Sequence, residues 1–443
     1  MRIAIVGSGI SGMTAAYYLG PRHQVSVFEA GNYIGGHTNT IEFTLDDRNY
    51  AVDTGFIVFN DRTYPNFIKL LQQIGAKSKP TAMTFSVRCD KSGLEYRGAD
   101  LNGFFAQRIN VLNPFFYHLL YEMLRFNRNA ERAIDESENP DITVGEFFAK
   151  FPYSKRFREQ FFLPMASAIW SCPGSTIEQF PMRFIVEFYR NHGLLSVNDR
   201  PQWRVIDGGS QQYMRRLVSQ THATLHTNSP VRRMERQDSG VTVYGSEGIL
   251  GDFDHVIFAC HSDQALRILG EQASSIEREI LTAFPYESNT AVLHTDTSVL
   301  PDQKRAWACW NYHIPACCSD KATVTYNMNI LQGIESKHTF CVSLNSAAPI
   351  KPAKVIRTIE YHHPIFTPQR RSMQQRHNEL IDHHHTSFCG AYWGNGFHED
   401  GVVSALNVCR KLDKDSCTVL STRDGFDTGD SRRENTTFEL QSV

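Results

Sequence analysis

Short apolar runs alternate with segments of helical periodicity at both ends of the chain. Residues 2–6 form an apolar run that ends at a group of glycines, residues 13–19 have the pattern of a helix, and a second apolar run covers residues 24–28. This order predicts a strand, a glycine turn, a helix and another strand. Near the other end, a glycine-rich loop over 390–401 leads into a helical pattern over 402–412.

The middle of the chain shows other patterns. Apolar residues recur at helical spacing over 60–75, and residues 81–97 alternate as in a β-hairpin. Residues 103–192 are rich in phenylalanine and punctuated by prolines, which predicts a block of helices. Residues 284–346 predict a run of antiparallel strands. Residues 413–443 have only scattered apolar positions, so we expect a disordered tail there.

Composition narrows the class of protein. The 443 residues contain 45 Lys and Arg against 47 Asp and Glu, and this balance gives no electrostatic sign of nucleic-acid binding. No segment reaches the ~18 consecutive apolar residues of a membrane-spanning helix, and the apolar run at 3–6 is too short for a secretory signal. We therefore expect a cytoplasmic protein. The stretch Leu112–Phe126 either packs on the protein or lies on a membrane surface, so membrane association stays open.

The first group of glycines has the residue types that a dinucleotide site needs. Gly7 permits a tight turn, Gly9 leaves the backbone open to a pyrophosphate, and Gly12 lets the helix pack closely on the strand. The helix N-terminus adds unpaired N–H groups and a partial positive charge. Glu29, at the tip of the second strand, can accept hydrogen bonds from both ribose hydroxyls and would repel a 2′-phosphate. The fingerprint therefore favours NAD or FAD over NADP.

Further glycines distinguish FAD from NAD. Gly35 and Gly36 follow the ribose-binding acid, and Gly55 offers another point of close backbone approach. An extended FAD would run along such a backbone, whereas a nicotinamide-dependent dehydrogenase would not need it. We therefore predict FAD as the cofactor.

These motifs resemble a known family. The segments Val6–Gly12, Glu29-Ala30 and Gly35-Gly36 are similar to the FAD-binding N-terminus of the flavin amine oxidase and phytoene desaturase superfamily. Within it, the chain most resembles bacterial amine-oxidase-like proteins known as predicted NAD/FAD-binding proteins. The likeness extends to about residue 412. It is also carried by the segments 53–60, 200–203, 208–210, 326–332 and 396–401.

The resemblance implies a fold class and a division of the chain. The fold is α/β, with a Rossmann-like FAD-binding domain assembled from three segments and an inserted α+β substrate domain. We expect the FAD-binding domain at 1–75, 205–275 and 386–412, and the substrate domain at 76–204 and 276–385.

The expected cofactor-binding residues come from the fingerprint, the glycines that follow it and, by resemblance, Val231 and the C-terminal loop. In the superfamily the backbone at the position of Val231 contacts the adenine side of FAD, and the C-terminal helix points its N-terminus at the flavin. The full set is Gly7, Ser8, Gly9, Ile10, Ser11, Gly12, Glu29, Ala30, Gly35, Gly36, His37, Thr54, Gly55, Phe56, Val231, Gly390, Gly396, Phe397 and His398.

No catalytic side chain is identified by the sequence. Many amine oxidases of the superfamily place a lysine near the flavin, but only Lys304 lies in the corresponding stretch, beside residues that predict a turn. Tyr392 and Trp393 either form an aromatic pair around an amine or pack in the core. His398 is a candidate for proton transfer near the flavin.

Other motifs give little further chemistry. The runs His362-His363 and 383–385 lack the spacing of metal ligands, because neighbouring residues on a strand point to opposite faces, and no metal is expected. Motifs of serine hydrolases, P-loop proteins and zinc proteases are absent from the sequence. No cysteine lies in a recognised flavin-linkage motif, although Cys260 and Cys389 leave covalent attachment open.

The expected function is FAD-dependent oxidation of a C–N or C–C bond, with hydride transfer to the flavin and return of electrons to oxygen or another acceptor. The phenylalanine-rich block and the missing lysine favour a hydrophobic substrate, such as a fatty-acyl chain or an isoprenoid. The alternatives are an oxidase of a small amine, a nicotinamide-dependent dehydrogenase, and a flavin-binding protein without turnover. The expected partner is a small-molecule or lipid substrate, and peripheral contact of the apolar stretch with a membrane stays open.

Overall fold

A computed structural model describes residues 1–135, 142–170, 172–196, 200–316, 321–365, 367 and 369–415. Of the tail predicted at 413–443, all residues from 416 onward lie outside the described residues.

Strands alternate with helices through most of the described chain. The strands are β1 (Arg2–Val6), β2 (Gln24–Phe28), β3 (Thr40–Leu45), β4 (Arg48–Asp53), β5 (Phe59–Asn60), β6 (Ser78–Pro80), β7 (Phe85–Cys89), β8 (Leu94–Arg97), β9 (Trp203–Ile206), β10 (Ala223–His226), β11 (Arg233–Gln237), β12 (Gly240–Tyr244), β13 (Ile249–Phe253), β14 (His255–Phe258), β15 (Tyr286–His294), β16 (Trp310–Ile314), β17 (Val324–Asn327), β18 (Cys341–Leu344), β19 (Val355–Pro364) and β20 (Thr386–Phe388).

The helices of the described chain are concentrated between β8 and β9 and around the nucleotide-binding sheet. They are α1 (Ile10–Leu19), α2 (Pro65–Gln73), α3 (Leu101–Phe104), α4 (Pro114–Asp135), α5 (Val144–Lys150), α6 (Lys155–Phe157), α7 (Leu163–Trp170), α8 (Gly174–Ile177), α9 (Met182–Asn191), α10 (Gln211–Gln220), α11 (Ser262–Leu269), α12 (Ser275–Leu281), α13 (Met328–Gln332), α14 (Arg370–Gln375) and α15 (His398–Leu412). Short 3₁₀ or π turns cover Arg108–Leu112, Arg158–Phe162, Gly270–Gln272, Thr297–Val299, Lys304–Ala306, Pro352–Lys354, His377–Leu380 and Ala391–Trp393.

A five-stranded parallel sheet in the order β10-β2-β1-β14-β20 forms the first layer. Its strands come from three separate parts of the chain, as the resemblance implies. The predicted strand, glycine turn, helix and strand are present as β1, α1 and β2. The α/β fold class and its Rossmann-like sheet are therefore confirmed, while the exact domain boundaries stay a prediction.

Alternating side chains of β1 bury both faces of this sheet. Ile3 and Ile5 pack with α1, α2, α10 and α15, while Ala4 and Val6 pack with β11–β13 and with α11 and α12. Both sets of side chains are almost fully buried. This double coverage explains why β1 is apolar throughout after Arg2.

The second large sheet has seven strands in the order β19-β15-β18-β17-β16-β7-β8. The antiparallel run expected over 284–346 is confirmed, since β15 pairs with β18, β18 with β17 and β17 with β16, all antiparallel. The parallel pairing of β16 with β7, from outside this run, was not expected. The hairpin expected at 81–97 supplies β7 and β8 at one edge, and the strand β19 at the other edge was not expected. Distant pairing of this kind is not visible in a local alternation pattern.

The phenylalanine-rich block is helical, as expected. It forms α3 to α9, and its rings build a core of their own against β7 and β8. At the centre of this core, the buried ring of Phe126 contacts the rings of both Phe157 and Phe162. Most phenylalanines of the block are therefore core residues rather than the wall of a ligand tunnel.

Within the described ranges, no helix combines the length and the apolar character that crossing a membrane requires.

Candidate functional site: a cavity between the two sheets

A cavity of about 600 Å³ lies between the carboxyl edge of the parallel sheet and the seven-stranded sheet. All but one of the residues expected to bind the cofactor line it, the exception being Gly12. The cavity runs from the turn between β1 and α1, past the start of α15, to apolar side chains of the seven-stranded sheet. Its position at the carboxyl ends of parallel strands is typical of dinucleotide sites.

The glycines of the first turn have the roles expected of them. Gly7 has φ +103°, and a Cβ there would lie 2.9 Å from the carbonyl oxygen of Ala259. A Cβ on Gly12 would collide with the carbonyl oxygen of Gly7, so Gly12 serves the packing of α1 on β1. Gly9 has no atom within 4 Å of the place where a Cβ would be, and it faces the open cavity. This is the room that a pyrophosphate needs.

The Glu29 carboxylate is held in place at the end of β2. Its Oε2 accepts hydrogen bonds from the Ser8 backbone N–H at 3.0 Å and from Ser8 Oγ at 2.6 Å, and its Oε1 accepts one from the Gly31 N–H at 2.7 Å. A carboxylate has about four acceptor positions. One position on Oε1 is therefore left for a ribose hydroxyl.

The pair Gly35 and Gly36 brings the backbone to the cavity wall opposite the first glycine turn. Gly35 and Gly36 have φ of +138° and +58°, values that favour glycine. A Cβ on Gly36 would point at Gly9 Cα, 3.2 Å away, so the two glycine turns face each other. Thr54 is fixed by hydrogen bonds of its hydroxyl to Asn39 and Tyr361.

His37 projects into the cavity directly after this glycine pair. Its ring stacks on Tyr361 with 4.9 Å between centroids, and its buried Nε2 has no hydrogen-bond partner within the described residues. Burial, and secondarily the nearby His362, lower the pKa of His37 to about 4. A buried ring nitrogen without a partner is costly unless a ligand satisfies it. Together with the open space at Gly9, it shows that these residues fit a bound dinucleotide.

Three further histidines surround His37, and the sequence did not predict that they would meet. His261, at the start of α11, stacks on Tyr286, while His362 and His363 come from β19. In the part of the chain that the structure describes, no three potential ligands converge as a metal site. The second run, over 383–385, lies in a turn with positive φ at two of its residues, so its expected placement on a strand is wrong.

The start of α15 reaches the cavity through Gly396, Phe397 and His398. Gly396 has φ +89°, and the Asp400 carboxylate accepts hydrogen bonds from the backbone N–H groups of Asn395 and Phe397 at 2.9 and 2.8 Å. These bonds fix the loop so that the N-terminus of the helix is directed to the cavity. The partial positive charge of this end can stabilise negative charge on a bound ring system.

His398 is more constrained than a free proton carrier would be. Its ring stacks on Phe56, and its Nε2 lies 3.0 Å from the Tyr213 hydroxyl and 3.1 Å from Thr38 Oγ1. Burial holds the pKa of His398 well below its usual range. The catalytic role considered for His398 stays a prediction, and its contacts favour a positioning role.

The far end of the cavity is apolar and aromatic. The sequence did not identify this end, whose only available signal was the enrichment of apolar residues in the strands. It is lined by Ile57, Val58, Ile169, Trp170, Ala291, Trp310, Tyr326, Val342 and Leu344. Neither lysine nor carboxylate lies among the lining residues of the described chain at this end, since the one carboxylate of the whole cavity is Glu29.

Other side chains considered from the sequence lie elsewhere. Lys304 is exposed in a turn, with its ammonium 6.0 Å from the ring centre of Trp307. Tyr392 and Trp393 contact each other and Phe284, so the two rings leave no gap between them for an amine. Cys260 lines the cavity, but burial raises the pKa of its thiol to about 12, which disfavours covalent attachment through a thiolate.

Comparison with known proteins agrees with this geometry. A family model described as flavin containing amine oxidoreductase matches residues 10–313. An L-amino-acid oxidase of Siganus canaliculatus is 24 % identical over 312 residues, which cover 67 % of this chain and 57 % of the relative. A zeta-carotene desaturase of Solanum lycopersicum is 32 % identical over 112 residues, which cover 23 % of this chain and 18 % of the relative. The chain thus aligns with little more than half the length of the first relative and with less than a fifth of the second.

A solved structure shares the whole fold. Cyclohexylamine oxidase from Brevibacterium oxydans superposes with a TM-score of 0.64 over 93 % of this chain and 99 % of its own, at 18 % identity. At this identity the superposition supports the fold alone.

Proposed function

Because the chain belongs to the family of flavin containing amine oxidoreductases, we propose that it is an FAD-dependent oxidoreductase whose substrate is hydrophobic, a fatty-acyl chain or an isoprenoid. The observation that carries the choice of substrate is the apolar end of the cavity, where the lining residues of the described chain include no lysine, arginine, histidine or carboxylate. The family and the fit of the cavity identify FAD as the cofactor.

The chain holds its cofactor mainly through backbone and a few fixed side chains. The turn at Gly7–Gly12 and the unpartnered Nε2 of His37 would receive the pyrophosphate, and Glu29 the ribose. Bound FAD would supply a two-electron acceptor for the hydride that leaves a C–H bond when the adjacent C–N or C–C single bond is oxidised to a double bond. The start of α15 offers its partial positive charge to the ring system.

The apolar end then selects and shields the substrate. Ile169, Val342 and Leu344 exclude water from the reacting bond and bury apolar substrate surface. Trp310 and Tyr326 pack edge to face across neighbouring strands, and the buried Nε1 of Trp310 has no partner among the described residues. This N–H can donate to one polar group of a substrate that is otherwise apolar.

An amine substrate is the second candidate, favoured by two relatives whose names refer to oxidation of an amino acid or an amine. Within the described chain, a protonated amine would find no carboxylate to pair with at the apolar end, and burying an unpaired ammonium is costly. The desaturase relative, named for a carotene substrate, supports the hydrophobic choice.

Anaerobic bleaching of the bound flavin separates these candidates. The purified, desalted protein should be yellow, and heat should release FAD. Fatty acids, acyl thioesters and isoprenoids should bleach the flavin absorbance, while small amines and polyamines should not. Bleaching by amines alone would overturn the hydrophobic choice. A yellow protein that no compound reduces would favour a flavin-binding protein without turnover, and a colourless protein that does not take up FAD would bring forward the nicotinamide-dependent alternative.

A further inference from the structure

Exposed apolar side chains are concentrated in one short part of the chain. Of the thirteen large hydrophobic residues that are exposed within the described ranges, eight lie between Leu101 and Leu124. Ile109, Leu112 and Phe115 are 75 %, 82 % and 68 % exposed. Scattered exposed apolar residues are ordinary, but a cluster of this kind marks an interaction surface. We call these eight residues the apolar tip: Leu101, Ile109, Val111, Leu112, Phe115, Tyr117, Tyr121 and Leu124.

Packing and hydrogen bonds hold the apolar tip in a defined position. Helix α4 buries Phe116, Leu119 and Phe126 in the phenylalanine-rich core, which fixes its other face towards solvent. The Tyr117 hydroxyl donates a hydrogen bond to the Val111 carbonyl at 3.0 Å and so ties the helix to the 3₁₀ turn that precedes it.

The solvent face of α4 changes character along its length. Tyr117, Tyr121, Leu124 and Arg128 follow one another at spacings of three or four residues and therefore share one face. The first three are apolar or aromatic and exposed, whereas the exposed residues beyond them are polar, beginning with Arg128. A helix that only packed on its own protein would be polar along this whole face.

Three arginines lie in or beside the apolar tip. Arg108 lies in the same 3₁₀ turn, and its donors bind, within the described residues, the carbonyl oxygens of Asn102 and Phe105 and the Asn102 side chain. Arg125 donates to the Pro152 carbonyl and lies over the Tyr153 ring, and Arg156 lies 5.8 Å from the ring centre of Phe115.

These three arginines are not neutralised locally. None of them pairs with a carboxylate within the described chain. The nearby Glu122 is buried and accepts hydrogen bonds from Ser154, and Glu159 pairs with Lys155. The tip thus combines an exposed apolar surface with nearby positive charges that no carboxylate of the described chain neutralises.

We propose that the apolar tip docks this protein on an anionic phospholipid bilayer. Apolar and aromatic side chains enter the boundary between headgroups and acyl chains, and the arginines pair with lipid phosphates. Neither signal alone gives firm binding, but an apolar insertion combined with a basic patch does. A protein partner or a second copy of the chain would not need three arginines without carboxylate partners beside the apolar tip. The proposal concerns a surface apart from the cavity and is independent of the substrate.

Vesicle flotation with the intact, FAD-loaded protein tests the proposal. The wild type should float with vesicles of equimolar phosphatidylcholine and phosphatidylglycerol, should bind vesicles of phosphatidylcholine alone much more weakly, and should be released by high salt. Leu112→Asp should lower the apparent affinity at least about tenfold, because it removes an inserted leucine and adds a repelled charge. Arg108→Gln should lower the affinity for the anionic vesicles specifically.

Ile249→Asp is the matched control, since Ile249 is 66 % exposed on β13, in a different part of the fold. It should bind vesicles as the wild type does. Thermal melting and flavin content should be unchanged in all three variants, so that loss of binding is not loss of folding. Absence of vesicle binding by the wild type, or equal binding by Leu112→Asp, would overturn the proposal. A wild-type dimer that Leu112→Asp converts to a monomer, without vesicle binding, would assign the tip to a second copy instead.

Discussion

The rings of Phe56 and His398 stack with 3.5 Å between their centroids, and this contact joins the loop after β4 to the first residue of α15. Thr38 and Tyr213 complete the arrangement through hydrogen bonds to His398 Nε2. Residues from four distant parts of the chain thus meet at one imidazole on the cavity wall. The stack orients the start of α15 relative to the glycine turns, so we expect binding of the cofactor to depend on it.

Replacement of His398 by Ala should therefore weaken FAD binding and lower the melting temperature. The lost hydrogen bonds and ring contact correspond to about 1–3 kcal/mol. The pH profile of flavin reduction should stay unchanged, because His398 is neutral across the usual range. Titration of the apoprotein with FAD and stopped-flow reduction measure the two effects. Loss of one ionisation from the pH profile, with FAD affinity intact, would instead establish proton transfer by His398.

Gly9→Ala and Gly12→Ala form a matched pair in the first glycine turn. Gly9→Ala should fold normally, because a Cβ there meets no protein atom within 4 Å, yet it should reduce FAD affinity about tenfold or more by filling the phosphate space. Gly12→Ala should instead destabilise the protein by about 3 kcal/mol, since its Cβ collides with the Gly7 carbonyl. Melting curves of the apoproteins and FAD titrations separate the effects. Equal melting temperatures for the two variants would contradict this division of roles.

His37→Ala should lower FAD affinity without unfolding the protein. The Nε2 of His37 is buried and unpartnered within the described residues, so a bound phosphate gains a hydrogen bond from it. A hydrogen bond to a charged group contributes about 1.5–3 kcal/mol, which corresponds to roughly tenfold or more in affinity. His37→Arg restores a donor to phosphate and should recover part of the loss. His362→Ala is the control, because His362 is exposed beside the same group of histidines. An equal effect of both alanine variants would show that the group acts only through packing.

The cofactor end of the site could be predicted from the sequence, and the substrate end could not. Gly7, Gly9 and Glu29 act through local backbone geometry, and the order of strand, turn and helix that positions them is visible within one short segment. Trp310 and Tyr326 lie on the neighbouring strands β16 and β17, but Ala291 joins them only because β18 pairs with both β15 and β17. No local periodicity encodes that pairing.

The same reason explains why the sequence predicted neither strand β19 nor the contact between His37 and His363. Each depends on long-range pairing, in this case of β19 with β15. The apolar stretch at 112–126 had two interpretations, and the structure combines them: one face of α4 packs on the core and the other stays exposed. A hydrophobic pattern shows that a helix has apolar faces, but it does not show which of those faces the folded protein buries.

The apolar end of the cavity can be narrowed without touching the cofactor end. Ala291 lines it from β15, and Ala291→Leu adds a branched side chain there. We expect the KM for a long acyl or isoprenoid substrate to rise about tenfold, from loss of ~1–3 kcal/mol of substrate contacts, while FAD affinity stays unchanged. Steady-state kinetics and FAD titration on the same preparation measure this. A parallel fall in FAD affinity would mean that the apolar end does not form a separate substrate region.

Four buried histidines make the stability of the protein depend on pH. Burial lowers the pKa of His192, His255, His294 and His377 to about 4. In the unfolded chain their pKa is ~6.5, so between these values the unfolded state binds more protons and stability falls as the pH falls. From pH 6.5 to 5 each contributes about 2 kcal/mol of lost stability.

Two buried carboxylic acids make stability change with pH in the opposite direction. Burial raises the pKa of Asp53 and Asp400 to about 6, so the stability that they contribute by binding a proton in the folded state is lost as the pH rises through 6. The loss of stability caused by the four histidines on acidification is larger than the gain from the two acids. The melting temperature at constant ionic strength should therefore be lower at pH 5 than at pH 7. His255→Asn should reduce the steepness of this dependence, because His255 is buried, hydrogen-bonds to Ser387 Oγ at 2.8 Å and lies 3.7 Å from Asp382. A melting temperature that rises on acidification, or a slope that His255→Asn leaves unchanged, would show that the buried acids and not the histidines govern stability in this range.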